Sequence, residues 1–263
     1  MASASDTRKM RVTILGSGTC VPSLERSACA VLVETARAKS LFDCGPGTLR
    51  RLLETGVGIH EITHLFFSHF HPDHTGEIAS LLFAGKYSPG PRRTRPLVMA
   101  GGKGFAGFYE AFRGVYGEWI ELADGLLVID EFDTAGPDTR SWDDFTVATE
   151  PVNHRPESIA FRLTAGGVSV VYSGDTDTCD SLISLAKDAD LMICESALPD
   201  GWKVDGHLTP SLAGAMAQKA GVRSLVLTHL YPLCDTVDVV KQCKTAYNGT
   251  VCAAKDLMRI ELP

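Results

Sequence analysis

Short apolar runs rich in β-branched residues recur along the chain and predict β-strands. Each run is five or six residues long, and most are bounded by Gly, Asp or Ser, a pattern more typical of strands than of helices. The predicted strands cover residues 11–15, 29–33, 62–67, 145–149, 168–172, 190–194 and 224–228.

Segments with helical character lie between several of these runs, at residues 47–54, 75–84, 178–187, 210–220 and 236–245. The boundaries of one helix are clear, because Thr209 suits an N-cap, Pro210 suits the first helical position and Gly221 suits the position after the last. The early strands follow one another as in a meander, whereas the later strands alternate with helices. This order predicts an α/β protein in which two sheets pack together with helices outside them.

The chain is expected to form one domain. Its 263 residues are 44% hydrophobic, which is enough to bury a core without disulfides or a structural metal. No Pro-, Gly- or Ser-rich linker and no internal repeat divides it. We therefore expect a single domain over residues 11–263, preceded by a disordered tail over residues 1–10.

The balance of charge disfavours a long nucleic acid as substrate. The chain has 25 Lys and Arg against 32 Asp and Glu, a formal net charge of −7. Binding of a phosphate backbone normally needs a basic surface. We therefore expect a small substrate and consider long nucleic acid an improbable partner.

Several features predict a cytoplasmic protein. The chain has no apolar run long enough to cross a membrane, and its first ten residues lack the apolar region of a secretory signal. Its eight cysteines form no CxxC pair and mostly lie in apolar runs, so we expect reduced thiols rather than disulfides.

The residues with the most informative chemistry are the run Ser68-His69-Phe70-His71-Pro72-Asp73-His74, directly after a predicted strand. In an extended chain His69 and His71 point the same way and can share one cation. If the chain turns at Pro72, Asp73 and His74 can face a second cation nearby. Imidazole and carboxylate suit zinc, with Mn²⁺ and Fe²⁺ as alternatives.

This run resembles the HxHxDH signature of the metallo-β-lactamase-fold hydrolases, and other parts of that family follow in order. They are Phe42-Asp43-Cys44-Gly45, Asn153-His154, Ser173-Gly174-Asp175-Thr176 and Thr228-His229. The resemblance implies an αββα sandwich, with two mixed sheets packed face to face and helices on both outer sides. It also implies two divalent metal ions, most simply Zn²⁺, and a supporting role for Asp43 beside a metal-binding histidine. The implied ligands are His69, His71 and His154 for one ion, Asp73, His74 and His229 for the other, and Asp175 between them.

Within this family the chain is similar to the ribonuclease Z-like branch. The similarity includes Leu15-Gly16-Ser17-Gly18-Thr19 and the stretch around Gly206-His207-Leu208-Thr209. Glu195 and His207 resemble the paired Glu and His that this branch places near the scissile phosphate. The resemblance implies that His207 donates a proton to the leaving oxygen and that Glu195 orients it.

The chain also departs from the tRNA-processing members of this branch. Their long Gly- and Pro-rich arm usually lies between the third histidine and the bridging Asp, but here His154 and Asp175 are only 21 residues apart. Asp177 is acidic where a basic residue is frequent. These departures favour a smaller substrate than tRNA.

The resulting hypothesis is a dinuclear metal-dependent hydrolase, most simply a phosphodiesterase acting on a small or modest-sized phosphate ester. A hydroxide shared by the two ions would attack phosphorus, and Asp73 would both bind metal and orient that hydroxide. The alternatives are another ester (a lactone, thioester, aryl sulfate or β-lactam), RNA 3′-end processing, or a metal-bound sensor without catalysis. A homodimer is expected only because dimers are common in this branch.

Three further features have a less specific interpretation. The basic loop with Arg92, Arg93 and Arg95 predicts a solvated surface, with a clamp on a phosphate or sulfate group near the cleft as the alternative. The GxGxxG run at residues 102–107 lacks a clear second parallel strand, so no dinucleotide site is expected. His60 and His64, which the metal scheme does not use, are expected to be structural.

Overall fold

The structure is built on two large β-sheets. The computed structural model describes residues 10–263, and within them fourteen strands form two mixed sheets of seven. In chain order the strands are Met10–Gly16 (β1), Ala30–Glu34 (β2), Lys39–Phe42 (β3), His64–Phe67 (β4), Leu97–Gly102 (β5), Leu127–Phe132 (β6), Asp138–Ser141 (β7), Thr146–Pro151 (β8), Ile159–Ala165 (β9), Val168–Tyr172 (β10), Leu191–Glu195 (β11), Ser224–Thr228 (β12), Thr250–Ala253 (β13) and Met258–Leu262 (β14).

The two sheets have similar topologies. The first has the order β14-β1-β2-β3-β4-β5-β6, with an antiparallel meander from β1 to β3 and parallel pairing from β3 to β6. The second has the order β13-β12-β11-β10-β9-β8-β7, antiparallel from β7 to β10 and parallel from β10 to β13. The predicted change from a meander to strands that alternate with helices is therefore confirmed in the second sheet.

Helices cover the outer face of each sheet. The helices are Thr48–Glu54 (α1), Pro72–Thr75 (α2), Ile78–Tyr87 (α3), Phe105–Tyr116 (α4), Asp180–Leu185 (α5), Pro210–Ala220 (α6) and Val239–Cys243 (α7). Side chains of α1, α3 and α4 share a buried cluster with the first sheet, and side chains of α5, α6 and α7 share one with the second. A third cluster lies between the sheets. There the ring centroid of Phe161 in β9 is 5.4 Å from that of Phe42 and 5.7 Å from that of Phe66. These layers confirm the αββα sandwich.

The predicted helix 75–84 is wrong in its start and in its continuity. The chain becomes helical at Pro72, pauses at Gly76 and Glu77, and then forms α3. The Glu77 carboxylate accepts hydrogen bonds from the backbone N–H groups of Gly47 at 2.9 Å and Leu49 at 2.7 Å. It satisfies the first turn of α1, and this contact holds the interruption in place. By contrast, α6 has the predicted boundaries, with Gly221 in the left-handed region at φ +69°.

The reason given for excluding a dinucleotide site is also wrong, because β5, α4 and the parallel strand β6 do form a βαβ unit. The start of α4 has another partner instead. The Glu131 carboxylate accepts the N–H groups of Gly104 at 3.0 Å and Ala106 at 2.8 Å. A side-chain carboxylate thus takes the backbone donors that a bound phosphate would use at a helix N-terminus.

The predicted tail, residues 1–10, lies outside the described residues except for Met10. That residue is the first of β1 and pairs with Leu262 of β14. Among residues 10–263, none of the helices combines the length and the apolar character that a bilayer span requires.

His64 of β4 lies between the sheets among aromatic rings. Its ring centroid is 4.8 Å from that of Trp142 and 5.0 Å from that of Phe145, and the residue is 7% exposed. Burial lowers the pKa of this imidazole to about 4. His64 is therefore neutral in the folded protein, as expected for a structural histidine.

The buried His64 predicts a loss of stability in acid. The unfolded chain binds a proton at this residue near pH 6.5, whereas the folded chain does so only near pH 4. The contribution is therefore complete above pH 6.5 and is lost as the pH falls toward 4. Between pH 7.5 and 5 we expect wild type to lose about 2 kcal/mol more than His64→Phe. Urea unfolding of both proteins in EDTA measures this difference, and equal losses would contradict it.

Candidate metal centre

The predicted ligands lie at one edge of the sandwich, where the strands that carry them end. His69 and His71 follow β4, and Asp73 and His74 lie in α2. The remaining three come from the second sheet, with His154 after β8, Asp175 after β10 and His229 after β12. The structure brings all seven together, although 160 positions separate the first from the last.

Asp175 lies at the centre of the group, with one oxygen toward each predicted set. Its Oδ2 is 3.6 Å from His69 Nε2 and 3.9 Å from His154 Nε2. Its Oδ1 is 3.2 Å from His74 Nε2 and 3.3 Å from His229 Nε2. A carboxylate in this position can serve two cations at once.

The remaining contacts complete both sets. In the first, His71 Nδ1 is 3.3 Å from His154 Nε2, and one ligand atom each of His69, His71, His154 and Asp175 lies within 4.8 Å of the others. In the second, Asp73 Oδ2 is 3.4 Å from His229 Nε2 and 4.0 Å from His74 Nε2. Ligands about 2.0–2.1 Å from a tetrahedral zinc ion are roughly 3.3 Å apart, so these spacings suit a metal.

The hydrogen-bonding state of these atoms also fits a metal. His69 Nε2, His74 Nε2 and Asp175 Oδ1 are buried and have no hydrogen-bond partner among the described residues. Such atoms cost about 1–3 kcal/mol each unless something satisfies them. Burial lowers the pKa of His69, His71 and His154, which keeps these imidazoles in the neutral form that binds metals. The donor set therefore fits divalent metal ions.

Asp43 orients His74 through the ring nitrogen that faces away from Asp175. The buried Oδ2 of Asp43 accepts hydrogen bonds from His74 Nδ1 at 2.6 Å, from the Tyr172 hydroxyl at 2.6 Å and from Ser68 Oγ at 2.8 Å. With Nδ1 bonded to Asp43, His74 directs Nε2 toward Asp175. His154 is oriented in the same way, since its Nδ1 donates to the Gly206 carbonyl at 2.9 Å.

Sequence reasoning missed three residues of this region. Ser68 and Tyr172, both bonded to Asp43, gave no signal because the strands that they follow or end look purely apolar. The third is Cys29, which the sequence pattern predicts only to be one of eight reduced thiols. It offers a ligand atom within 4.8 Å of those of His74 and His229, and its Sγ donates to the Gly18 carbonyl at 3.2 Å.

The turn after β10 lies so close to Ser68 that it requires a glycine at position 174. Gly174 has φ +56°, and a Cβ on it would lie 2.4 Å from Ser68 Cβ. No other residue fits there, because the turn passes directly against Ser68. The contact brings Asp175 to His69.

His207 and Glu195 also meet beside this group. His207 Nδ1 donates to Glu195 Oε1 at 2.9 Å and lies 4.0 Å from Asp175 Oδ2. The two oxygens of Glu195 also accept the backbone N–H groups of Thr176, Ala197 and Leu208. Burial opposes a charge on His207, but the hydrogen bond and the charge of Glu195 outweigh it and raise the pKa of the imidazole. His207 thus keeps a proton that it can donate.

The basic loop is not at this site, which corrects the suggested contact with substrate. Arg92, Arg93 and Arg95 precede β5, and Arg93 is buried, donating to the carbonyls of Ile62 at 2.6 Å and Ile59 at 2.8 Å. These carbonyls come before β4, whereas the metal ligands follow it. Since β4 and β5 are parallel, the loop lies at the opposite edge of the sandwich.

Comparisons with known proteins agree with this geometry. Residues 39–230 match the family described as the Beta-lactamase superfamily domain. The chain is 31% identical to the protein named Ribonuclease Z from Mycobacterium bovis (strain BCG / Pasteur 1173P2), over 96% of this chain and 98% of that protein. Two solved structures are similar over nearly their whole length. They are the metallo-β-lactamase fold protein YhfI from Bacillus subtilis (TM-score 0.82, 26% identity, covering 97% of this chain and 99% of that chain) and human tRNase Z, short form (TM-score 0.80, 26% identity, 96% and 99%).

Removing a ligand is expected to remove metal. Asp175→Ala takes an oxygen from both sets, so we expect it to lose both ions, whereas His71→Ala should lose mainly the first. The loss should exceed the roughly 10- to 100-fold fall in metal affinity that is typical when a residue supporting a ligand is removed. Metal content by mass spectrometry after dialysis measures it, with His60→Ala as the control that retains wild-type content. Full occupancy in Asp175→Ala would contradict the shared role of this carboxylate.

Proposed function

Because the chain belongs to the β-lactamase superfamily, in its ribonuclease Z-like branch, we propose that this metal-dependent hydrolase cleaves phosphodiesters. The observation that carries the proposal is the His207–Glu195 pair beside the metal ligands. A protein that only binds metal has no need of a protonated histidine held in place by a buried carboxylate. A hydrolase needs one, because the leaving oxygen must gain a proton.

The metal ions and the residues of the site have different roles in the proposed hydrolysis. Two divalent ions, which we propose to be Zn²⁺ with Mn²⁺ or Fe²⁺ as alternatives, would polarise the phosphoryl oxygens and supply the activated water. His207 donates a proton from Nε2, since Nδ1 is bonded to Glu195. Glu195 fixes the ring and stabilises its charge. Asp73, whose side chain is 14% exposed, can orient the incoming water from the open side of the site.

A panel of esters tests the reaction. We expect metal-loaded protein to hydrolyse bis(p-nitrophenyl) phosphate and a dinucleotide, and to act poorly on p-nitrophenyl sulfate, a lactone, a thioester and a β-lactam. His207→Ala should keep its metal and lose about 10²- to 10⁴-fold in kcat. The loss should be larger for the dinucleotide, because an alkoxide needs the proton more than p-nitrophenolate does.

The control is His60→Ala, which should keep wild-type kcat on both diesters. Two results would overturn the proposal. One is faster turnover of the lactone, thioester, β-lactam or aryl sulfate than of either phosphodiester. The other is an unchanged kcat in His207→Ala on the alkyl leaving group.

RNA 3′-end processing is a second candidate, favoured by the names of the relatives, Ribonuclease Z and tRNase Z. Two features support the smaller substrate instead. The segment between His154 and Asp175 contains only the hairpin β9–β10, with Gly166 and Gly167 at its turn, so it holds no arm. Asp177 is paired with Lys203 Nζ at 2.6 Å, which neutralises a cation next to the site.

Precursor tRNA with a 3′ trailer separates the two candidates. On the small-substrate hypothesis, the protein cleaves a dinucleotide and shows no preferred position in the precursor. A single cut at the trailer boundary, with kcat/KM above that for the dinucleotide, would establish RNA processing instead. Heat-denatured precursor is the matched control, since only a folded tRNA offers the three-dimensional substrate.

We also propose that the protein is cytoplasmic and forms a homodimer. All eight cysteines are free, which supports a reducing compartment such as the cytoplasm. Large aromatic side chains exposed on α3 and α4 and in the turn after α4 support the homodimer. They are Phe83, Tyr87, Tyr116 and Trp119.

A further inference from the structure

We propose that the protein has a second ligand site, which binds a small aromatic phosphate of the nucleoside phosphate class at the edge of the sandwich opposite the metal centre. Two neighbouring cavities form it. The basic cavity, about 300 Å³, is lined by Arg37, Arg92, Arg95 and His60, and the aromatic cavity, about 750 Å³, by His64, Trp142 and Phe145. Arg37, Thr63 and Arg95 belong to both linings, so one ligand can reach both.

The basic cavity concentrates positive charge in an acidic protein. Five cationic side chains line it against a single carboxylate, Glu61, although the whole chain has a net charge of −7. Some of these cations already have partners: Lys39 pairs with Glu61, and Arg93 donates to backbone carbonyls. Arg92 and Arg95 have no hydrogen bond or ion pair within residues 10–263. Both side chains are exposed, so an anion that enters the cavity can pair with them.

The acidic groups nearby do not cancel this charge. Asp144 Oδ2 already accepts hydrogen bonds from the Thr35 hydroxyl and the Arg37 backbone N–H, both at 2.8 Å. Asp143 lies 3.8 Å from Arg37 in a pair whose side chains are more than 60% exposed, where solvent weakens the attraction. His60, which also lines this cavity, has a buried Nδ1 that lacks a partner among the described residues.

The aromatic cavity supplies a surface for a planar ring. Trp142 and Phe145 are nearly parallel, at 14° and 5.0 Å between centroids, and the His64 ring is nearly perpendicular to both, at 73° and 87°. Cavities of roughly 300–1,000 Å³ that combine apolar walls with a few charged groups are typical of small-ligand sites. A ring against Trp142 and a phosphate on Arg92 and Arg95 would use both parts.

This site is separate from the metal centre. His64 begins β4 and lines the aromatic cavity, while His69 lies beyond the other end of the strand, roughly 15 Å away at ~3.3 Å per residue. Binding here therefore needs no metal ligand. The inference is independent of the proposed hydrolysis.

Calorimetric titration of the metal-loaded protein with AMP tests the proposal, with inorganic phosphate and adenosine as partial ligands. We expect AMP to bind more tightly than either fragment. The double variant Arg92→Gln/Arg95→Gln should weaken AMP binding at least tenfold while diester hydrolysis stays at its basal rate. The exposed Arg50→Gln on α1 is the matched control and should bind AMP like wild type.

His71→Ala separates the two sites, because it should bind AMP as well as wild type does. Binding that disappears in His71→Ala and persists in the double variant would place AMP at the metal centre and overturn the proposal. The absence of saturable binding would do the same. If phosphate alone bound as tightly as AMP, the aromatic part of the site would be wrong.

Discussion

The buried carboxylate of Asp43 joins the two sheets at the edge where the metal ligands meet. An isolated carboxylate in such a place would cost several kcal/mol. Four donors compensate it: Ser68 supplies its N–H and hydroxyl, His74 its Nδ1 and Tyr172 its phenol. Because Tyr172 ends a strand of the second sheet and Asp43 follows a strand of the first, this network fixes the spacing between the sheets. Asp175, three residues after Tyr172, thereby comes within reach of His69 and His74.

The site also uses unfavourable backbone conformations. Within residues 10–263, four residues other than glycine have positive φ, and two of them, Asp43 at +61° and His229 at +56°, belong to the site. Each such residue costs on the order of 1–3 kcal/mol. In both cases the turn comes directly after a strand and directs the side chain toward the other residues of the site. The tightly packed strands that precede them, β3 before Asp43 and β12 before His229, hold these residues in place.

The local part of the site could be predicted from the sequence, and the long-range part could not. His69 and His71 are two residues apart, so strand geometry alone places them together. His154, Asp175 and His229 were found only through the family resemblance, since nothing local shows that β8, β10 and β12 end at the same edge.

Other features gave no pattern to interpret. The edge strand β7 is short and polar, so its residues lack the apolar pattern that predicts a strand. Tyr172 ends an apolar run that is typical of a buried strand. Nothing in that run predicts its hydrogen bond to Asp43 in the other sheet.

The basic loop shows why strand direction decides function in this architecture. From the sequence alone, Arg92, Arg93 and Arg95 predict a solvated loop, with a clamp on an anion near the cleft as the alternative. Parallel pairing of β4 with β5 argues against the alternative, because the loop lies at the edge where β5 begins and the metal ligands lie at the edge where β4 ends. Arg93 is the physical link, since it holds the carbonyl of Ile62 just before β4 begins. β4 connects the two edges directly, and its four buried residues pack on both faces. Because such packing resists gradual displacement, the two edges can change chemistry independently.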